Sequence, residues 1–399
     1  MSKAIIQSLV IGGLLVLGWM WTQQQSQQPP AMPITNAIYP ESFGAKGDGI
    51  VNDTEALQAA INAAPTSGSG AEIVLTRRYR ITAPLEIIND AAHRRRLGLT
   101  IRGLNAAPGG FSHQTGITWA GPANQPIIKI HSRENTLRNF VITVADKHTA
   151  SCAIEIDQVP GEVANTRNTF EYMWIDGGLG LGTSGKLENG VVIGPRPGIY
   201  NLDYMYFRQC FFSRINEACV DIRSNTGQSK HNTFDQCAFL EAKYGIKQLT
   251  GSFESYGCAF GALRGAAISL YGPTDNIMIV NPDEEGCARF IESRAGGSSG
   301  WPLLIQGGRF ELNGLAADGR FIDYTYSGPI TIQSAQFSQV PTTRFRIRVG
   351  AGGPGGILIA TGCQFPNATP FEMIPNSRLK AYGNRGTDAR GNPVLLADQ

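Results

Sequence analysis

"FRQCFF" (Phe207 to Phe212), "FDQCAF" (Phe234 to Phe239) and "SYGCAF" (Ser255 to Phe260) share a Cys-x-Phe core at spacings of 27 and 21 residues. After each Phe, at a fixed offset, comes a second short apolar run: "ACVDI" (Ala218 to Ile222), "GIKQL" (Gly245 to Leu249) and "AAISL" (Ala266 to Leu270). Later, "QGGRF" (Gln306 to Phe310), "SAQF" (Ser334 to Phe337) and "TGCQF" (Thr361 to Phe365) keep the phenylalanine with a small residue two before it. A repeat of roughly 20 to 30 residues made of short strands and turns cannot bury its own apolar face, whereas stacked copies can. The pattern predicts an all-β parallel β-helix. With coils about 4.8 Å apart, some eleven of them make a rod roughly 50 Å long. Sliding "GCARFI" (Gly286 to Ile291) onto the second run places Met278 and Val280 in the Cys and Phe slots of the intervening coil.

Such a stack has an open end, and a short helix near the N-terminus is the expected lid. Over residues 52–64, Asn52 reads as the N-cap and Glu55 as its capping-box partner. Leu57, Ala60, Ile61 and Ala64 form one apolar stripe. Composition agrees with a turn-rich, strand-rich protein: 48 of 399 residues are glycine, against a usual level of about 7%.

The run "FGAKGDGIVNDTEALQAAINAA" (Phe43 to Ala64) resembles the N-terminal signature of pectate-lyase-like right-handed β-helix proteins, the group that includes polygalacturonases and phage tailspikes. "LTIRGLN" (Leu99 to Asn105), "LRNFVI" (Leu137 to Ile142) and "LKAYGNRG" (Leu379 to Gly386) are similar to coil sequences of that group. The resemblance spans about residues 38–386, leaving 387–399 as a tail. It implies the fold; for function it leaves hydrolases, lyases and noncatalytic binders open.

Residues 1–22 differ. "AIIQSLVIGGLLVLGWMW" (Ala4 to Trp21) holds 18 residues without a charge, about 27 Å as a helix and enough to span a bilayer. A Gln- and Pro-rich spacer, 23–37, comes next, with no small-x-small cleavage site. The expectation is an uncleaved anchor; a cleaved signal, or a helix bundling with its copies inside a particle, are the competing readings.

A net charge of +2 gives no case for nucleic acid. The seven cysteines are an odd count with no CxxC pair, which speaks against a zinc site or a disulfide framework. Cys210, Cys237 and Cys258 fall in one stacked column and read as inward free thiols, although adjacent α-carbons there would lie within disulfide range.

The catalytic blocks of polygalacturonases (Asn-Thr-Asp, Asp-Asp, Gly-His-Gly, Arg-x-Lys) are absent in that order. "PTDN" (Pro273 to Asn276) lacks the first Asn, and Arg378-Leu-Lys380 lies past the last expected coil. In the aligned register Asp235 stacks on Arg208, Glu241 on Arg214 and Glu284 on Arg264, ordinary cross-coil ion pairs. That leaves Asp283 and Glu285 of "NPDEEG" (Asn281 to Gly286), without a basic partner in the preceding coil, as candidate catalytic acids, as Ca²⁺ ligands, or as an exposed acidic turn. No other cofactor is expected. Trp174, Tyr204, Tyr206 and Tyr256 are candidate sugar-binding aromatics.

By its resemblance to tailspikes, the chain reads as a homotrimeric spike on a virion surface that recognises, and can depolymerise, a bacterial surface polysaccharide. It would be rooted through residues 1–22 in a viral membrane or in a tail or vertex protein. Two alternatives stand beside it: a membrane-anchored glycosidase or polysaccharide lyase facing the periplasm or exterior, and a noncatalytic structural rod.

Overall fold

The computed structural model describes residues 37–65, 71–88, 98–105, 115–158, 164–178, 186–196, 201–224, 229–294, 301–338, 344–350, 356–388 and 393–396. The chain divides into two units, Met1–Ala37 and Ile38–Gln399, and nearly all of the described residues belong to the second. The expected anchor over 1–22, and its spacer up to residue 36, lie outside the described residues. Among the described residues no helix is long and apolar enough to cross a membrane.

Successive strands are dealt in turn to three parallel sheets, of 13, 11 and 11 strands among the described residues, so that strands three apart in the chain become hydrogen-bonded neighbours. The first sheet runs through Tyr206–Arg208, Asn232–Asp235 and Gly251–Tyr256, the second through Phe211–Ser213, Ala238–Leu240 and Ala259–Gly261, and the third through Ala218–Ile222, Tyr244–Gln248 and Ala266–Leu270. This is the parallel β-helix that the repeats predict. Arg385–Thr387 and Pro393–Leu395 then form an antiparallel pair, so part of the expected tail is a hairpin.

Alternation along each strand sends one phenylalanine per coil inward. Phe170, Phe207 and Phe234 stack face to face at 4.7 and 5.0 Å in the first sheet, and Phe212, Phe239 and Phe260 do so at 5.3 and 5.1 Å in the second. The cysteine column turns the corner between these sheets. All seven cysteines are free and buried, and each thiol of the column donates to a main-chain oxygen of the coil before it: Cys210 to Phe170 at 3.3 Å, Cys237 to Phe207 at 3.5 Å and Cys258 to Phe234 at 3.4 Å. The residue just before each of these cysteines sits in the left-handed region: Gln209, Gln236 and Gly257 have φ of 48°, 52° and 56°. One such residue reverses the pleat and makes the corner.

The lid forms as Thr54–Ala63, with Leu57, Ala60, Ile61 and Ala64 buried in the common core. Its start differs from the expected capping box. Asp53 is the N-cap, and its buried carboxylate accepts the amides of Lys46 at 2.6 Å and Gly47 at 3.0 Å, tying the glycine turn to the helix. Asn52 instead accepts the Thr54 amide at 3.1 Å, an Asx turn one step earlier.

Two expected ion pairs do not form. Arg214 and Glu241 both occupy left-handed corner positions, and Arg214 reaches back to the preceding coil, where its Nε donates to Asp176 at 2.8 Å. Glu284 does not meet Arg264, because the register after residue 270 runs four residues later than the apolar pattern suggests. Glu284 pairs in register with Phe260 and Phe310, so it, and not Val280, fills the phenylalanine slot. Val280 instead pairs with Tyr256. A bulge between Gly251 and Phe253 adds one residue to the strand offset, and the carboxyl in an apolar slot hides the repeat from a hydrophobic pattern.

Candidate functional site

The outer face of the first sheet gathers three of the four sequence-nominated aromatics. Because Phe207, Phe234 and Ser255 point inward, Tyr206 with Arg208, Thr233 with Asp235, and Glu254 with Tyr256 point outward in three neighbouring strands. Tyr204 precedes the first of these strands with φ 60°, and this turn lays its ring on His231 of the next coil, 5.1 Å between centroids and 14° between planes.

The tyrosine hydroxyls are held by carboxylates. Tyr206 donates to Asp235 at 3.2 Å and Tyr256 to Glu254 at 2.7 Å. Desolvation raises the phenol of Tyr206 with help from the Asp235 charge, and desolvation and the Glu254 bond push that of Tyr256 up to about 12, so both stay neutral donors at physiological pH. The expected Arg208–Asp235 pair forms at 3.7 Å, looser than the tyrosine bond to the same carboxylate. Asp235 and Glu254 are diagonal neighbours on adjacent strands, roughly 7–8 Å apart at the α-carbons.

Beside them opens a groove of about 340 Å³. Trp301, 55% exposed, together with Met278 and His231, supplies its apolar surfaces, and Glu254 and the Lys230–Asp275 ion pair (2.9 Å) supply its polar ones. Flat rings flanked by charged hydrogen-bonding groups suit a sugar ring, whose axial C–H faces are apolar and whose edge is all hydroxyl.

The other nominated residues lie elsewhere. Trp174 is not an exposed platform: it is buried on the outer side of the second sheet, donating from Nε1 to Ser213 Oγ at 3.1 Å and meeting Phe211 edge-on at 5.9 Å. Asp283 and Glu285 stand on that same second sheet, exposed on either side of the inward Glu284. Asp283 does have a basic partner, in the following coil: Arg309 Nε donates to it at 3.1 Å, and Arg309 also meets Glu311 at 3.3 Å. Among the described residues no group of three or more His, Cys, Asp or Glu side chains can hold a metal ion.

None of the residues lining the groove, Glu254, His231 and Trp301 among them, is nominated as a site residue by the sequence. His231 was within reach of it, since it comes 27 residues after Tyr204, the offset that separates Cys210 from Cys237. Trp301 comes after a Gly/Ser run that carries no register.

No family model matches the chain. Over 230 residues it is 31% identical to "Depolymerase 1, capsule KN3-specific" of Klebsiella phage KN3-1, covering 51% of this chain and 28% of that protein. Over 27 residues it is 78% identical to "Depolymerase 1, capsule K30/K69-specific" of Klebsiella phage K5-2, 7% of this chain and 3% of that one. The chain thus spans well under half of either relative. Among solved structures, the gp42 tailspike of Acinetobacter phage vb_AbaP_AS12 superposes with a TM-score of 0.55 at 12% identity, covering 90% of this chain and 64% of that one. The DFA-IIIase of Arthrobacter chlorophenolicus A6 does so with a TM-score of 0.56 at 13% identity, covering 92% and 97%. At such identities the likeness is one of fold: this is the pectate-lyase-like parallel β-helix, shared by tailspikes and by enzymes.

Proposed function

We propose that the protein is a phage tailspike-type receptor-binding protein that recognises a bacterial capsular polysaccharide in the Trp301 groove and cleaves it there. The observation that carries this reading is the 31% identity over 230 residues to a capsule-specific depolymerase, joined to an aromatic groove with two carboxylates on the same sheet face. Asp235 and Glu254 are the acids assigned to cleavage: their diagonal placement lets their carboxyl groups bracket a glycosidic bond, which needs about 5–9.5 Å between them. They replace Asp283 and Glu285 in that role because they share a face with the tyrosines.

The test is incubation of the chain with purified capsular polysaccharides, the KN3 type first, following polymer size and new reducing ends. Trp301→Ala is expected to weaken polymer binding about tenfold, the equivalent of ~1.4 kcal/mol. Asp235→Asn and Glu254→Gln are expected to cut cleavage at least tenfold while leaving binding within threefold. If Asp283→Asn and Glu285→Gln abolish cleavage and the first pair does not, the reacting centre belongs on the second sheet. If no capsule is bound, the reading is wrong.

The homotrimer, its place on a virion surface and its rooting through residues 1–22 are parts of the same proposal, supported by the resemblance to tailspikes. Light scattering on the full chain in detergent is expected to give three times the 42.9 kDa of one chain. A monomer would favour the alternative of a membrane-tethered enzyme.

A further inference from the structure

A larger concavity, about 810 Å³, lies over the outer face of the third sheet and plays no part in the site above. In successive coils of that sheet, register places Lys129, Glu155 and Val192 along one outward column. The groove is walled by Gln125, Lys129, Glu155, Lys186, Asn189 and Arg223. Among the described residues no aromatic ring lines it, and the chemistry they offer is that of hydrogen bonding.

The three cations lining it are each paired with a carboxylate outside it, while its two carboxylates, Glu155 and Glu188, meet no Lys or Arg among the described residues. Lys129 meets Glu86 at 3.3 Å, Lys186 is bonded to Asp146, and Arg223 Nε donates to Asp221 at 2.8 Å. Asp221 is fully buried and also accepts the Tyr271 hydroxyl at 2.9 Å, which fixes the guanidinium in place. Glu155 faces His131 at 3.7 Å. A ligand therefore need not bring charge of its own.

One group lacks a partner among the described residues. Asn189 is 2% exposed, and its Oδ1 has no hydrogen-bond partner, while its Nδ2 reaches only the Ser151 carbonyl oxygen at 3.4 Å. A buried amide oxygen left bare is a standing demand for a donor. On the same face, Gln125 and, about 10 Å further along the strands, Lys129 offer donors and Glu155 an acceptor. Donors and acceptors spread over about 10 Å complement the hydroxyls, each donating once and accepting twice, of a sugar unit or two laid along the face.

We propose that this groove is a second saccharide-binding site, taking a neutral, hydroxyl-rich unit, with a sugar hydroxyl donating to Asn189 Oδ1. The inference rests on the polysaccharide reading above. It adds that one chain grips its polymer at two places, so that affinity for a long polymer exceeds that for a short fragment.

The experiment is isothermal titration of the full chain with capsular oligosaccharides of one and two repeating units, KN3 type first. Wild type is expected to bind at two sites per chain. Asn189→Leu, which keeps the side chain's bulk and removes its amide, is expected to weaken one of them at least tenfold and leave the other. Gln125→Ala, at an exposed position with little bearing on folding, is expected to weaken the same one, and Trp301→Ala the other. A single site per chain in wild type, or unchanged titrations for both Asn189→Leu and Gln125→Ala with melting unaltered, overturns the second site and leaves the Trp301 groove standing. Absence of any binding overturns both.

Discussion

Between pH 5 and pH 9 the wild-type chain is expected to lose roughly 3–5 kcal/mol of folding stability that the Glu284→Gln variant keeps. Glu284 sits fully buried in the phenylalanine column, in register with Phe260 and Phe310. Its Oε1 accepts the Cys287 amide at 2.7 Å, and its Oε2 has no hydrogen-bond partner among the described residues. The groups facing it are those two rings, the Cys287 thiol and the Glu311 carboxylate, none of them a cation. Burial therefore pushes its carboxyl from 4.5 up to about 8. An acid whose pKa rises on folding keeps its proton in the folded chain across a window where the unfolded chain has lost it. Here that window runs from about 4.5 to about 8, so stability falls as pH rises through it and levels off above. Glutamine retains the oxygen that accepts from Cys287 and cannot ionise. Urea-unfolding midpoints of both proteins at half-unit pH steps would decide the matter; two parallel curves would show that Glu284 does not titrate in this window.

Arg214→Met is expected to cost about 3–5 kcal/mol, the penalty for stranding a buried charge. Asp176 is 2% exposed and lies on the outer side of the second sheet, where Nε and Nη2 of Arg214 donate to its two oxygens. Burial outweighs these bonds and raises its carboxyl above the ordinary range, a sign that the site tolerates the charge only while the guanidinium is there. With Arg214 gone, the Gly178 amide at 3.2 Å and the Ser213 hydroxyl are left facing the carboxylate, and neither carries a charge. The double variant Asp176→Asn/Arg214→Met removes the stranded charge and is expected to recover most of the loss. If it is no more stable than the single variant, the arginine matters through the packing of its stem and not through its charge.

These two sites show what could be read from the residues and what could not. The stacked Cys-x-Phe columns, the inward thiols and the apolar stripe of the lid can be had from spacing alone, because burial repeats with the coil. Arg208 over Asp235 was legible for the same reason, since both lie within regular strands. Arg214 was not: a left-handed corner residue turns its side chain out of the column, and sequence offset no longer fixes its neighbour. Glu284 was hidden because pattern matching assigns apolar slots to apolar residues, and a carboxyl there shifts the match to the nearest apolar pair. At the candidate site, Tyr204, Tyr206 and Tyr256 share a face as their spacing indicated. Trp174 fell on a different sheet because its strand lies beyond the corner, and Trp301 comes after a Gly/Ser stretch without periodicity.

The left-handed residue before each corner cysteine has a bearing on how such a chain can change over time. Between Cys210 and Cys237 there are 27 positions and between Cys237 and Cys258 only 21, yet the strands on either side keep the same partners. The length difference is absorbed in the connections, while the pleat is reset at every coil by one backbone conformation. Insertions, deletions and exchanges between corners are therefore nearly silent to the stack and audible only at the surface. Such a lineage can change what it grips one loop at a time, without relearning how to fold.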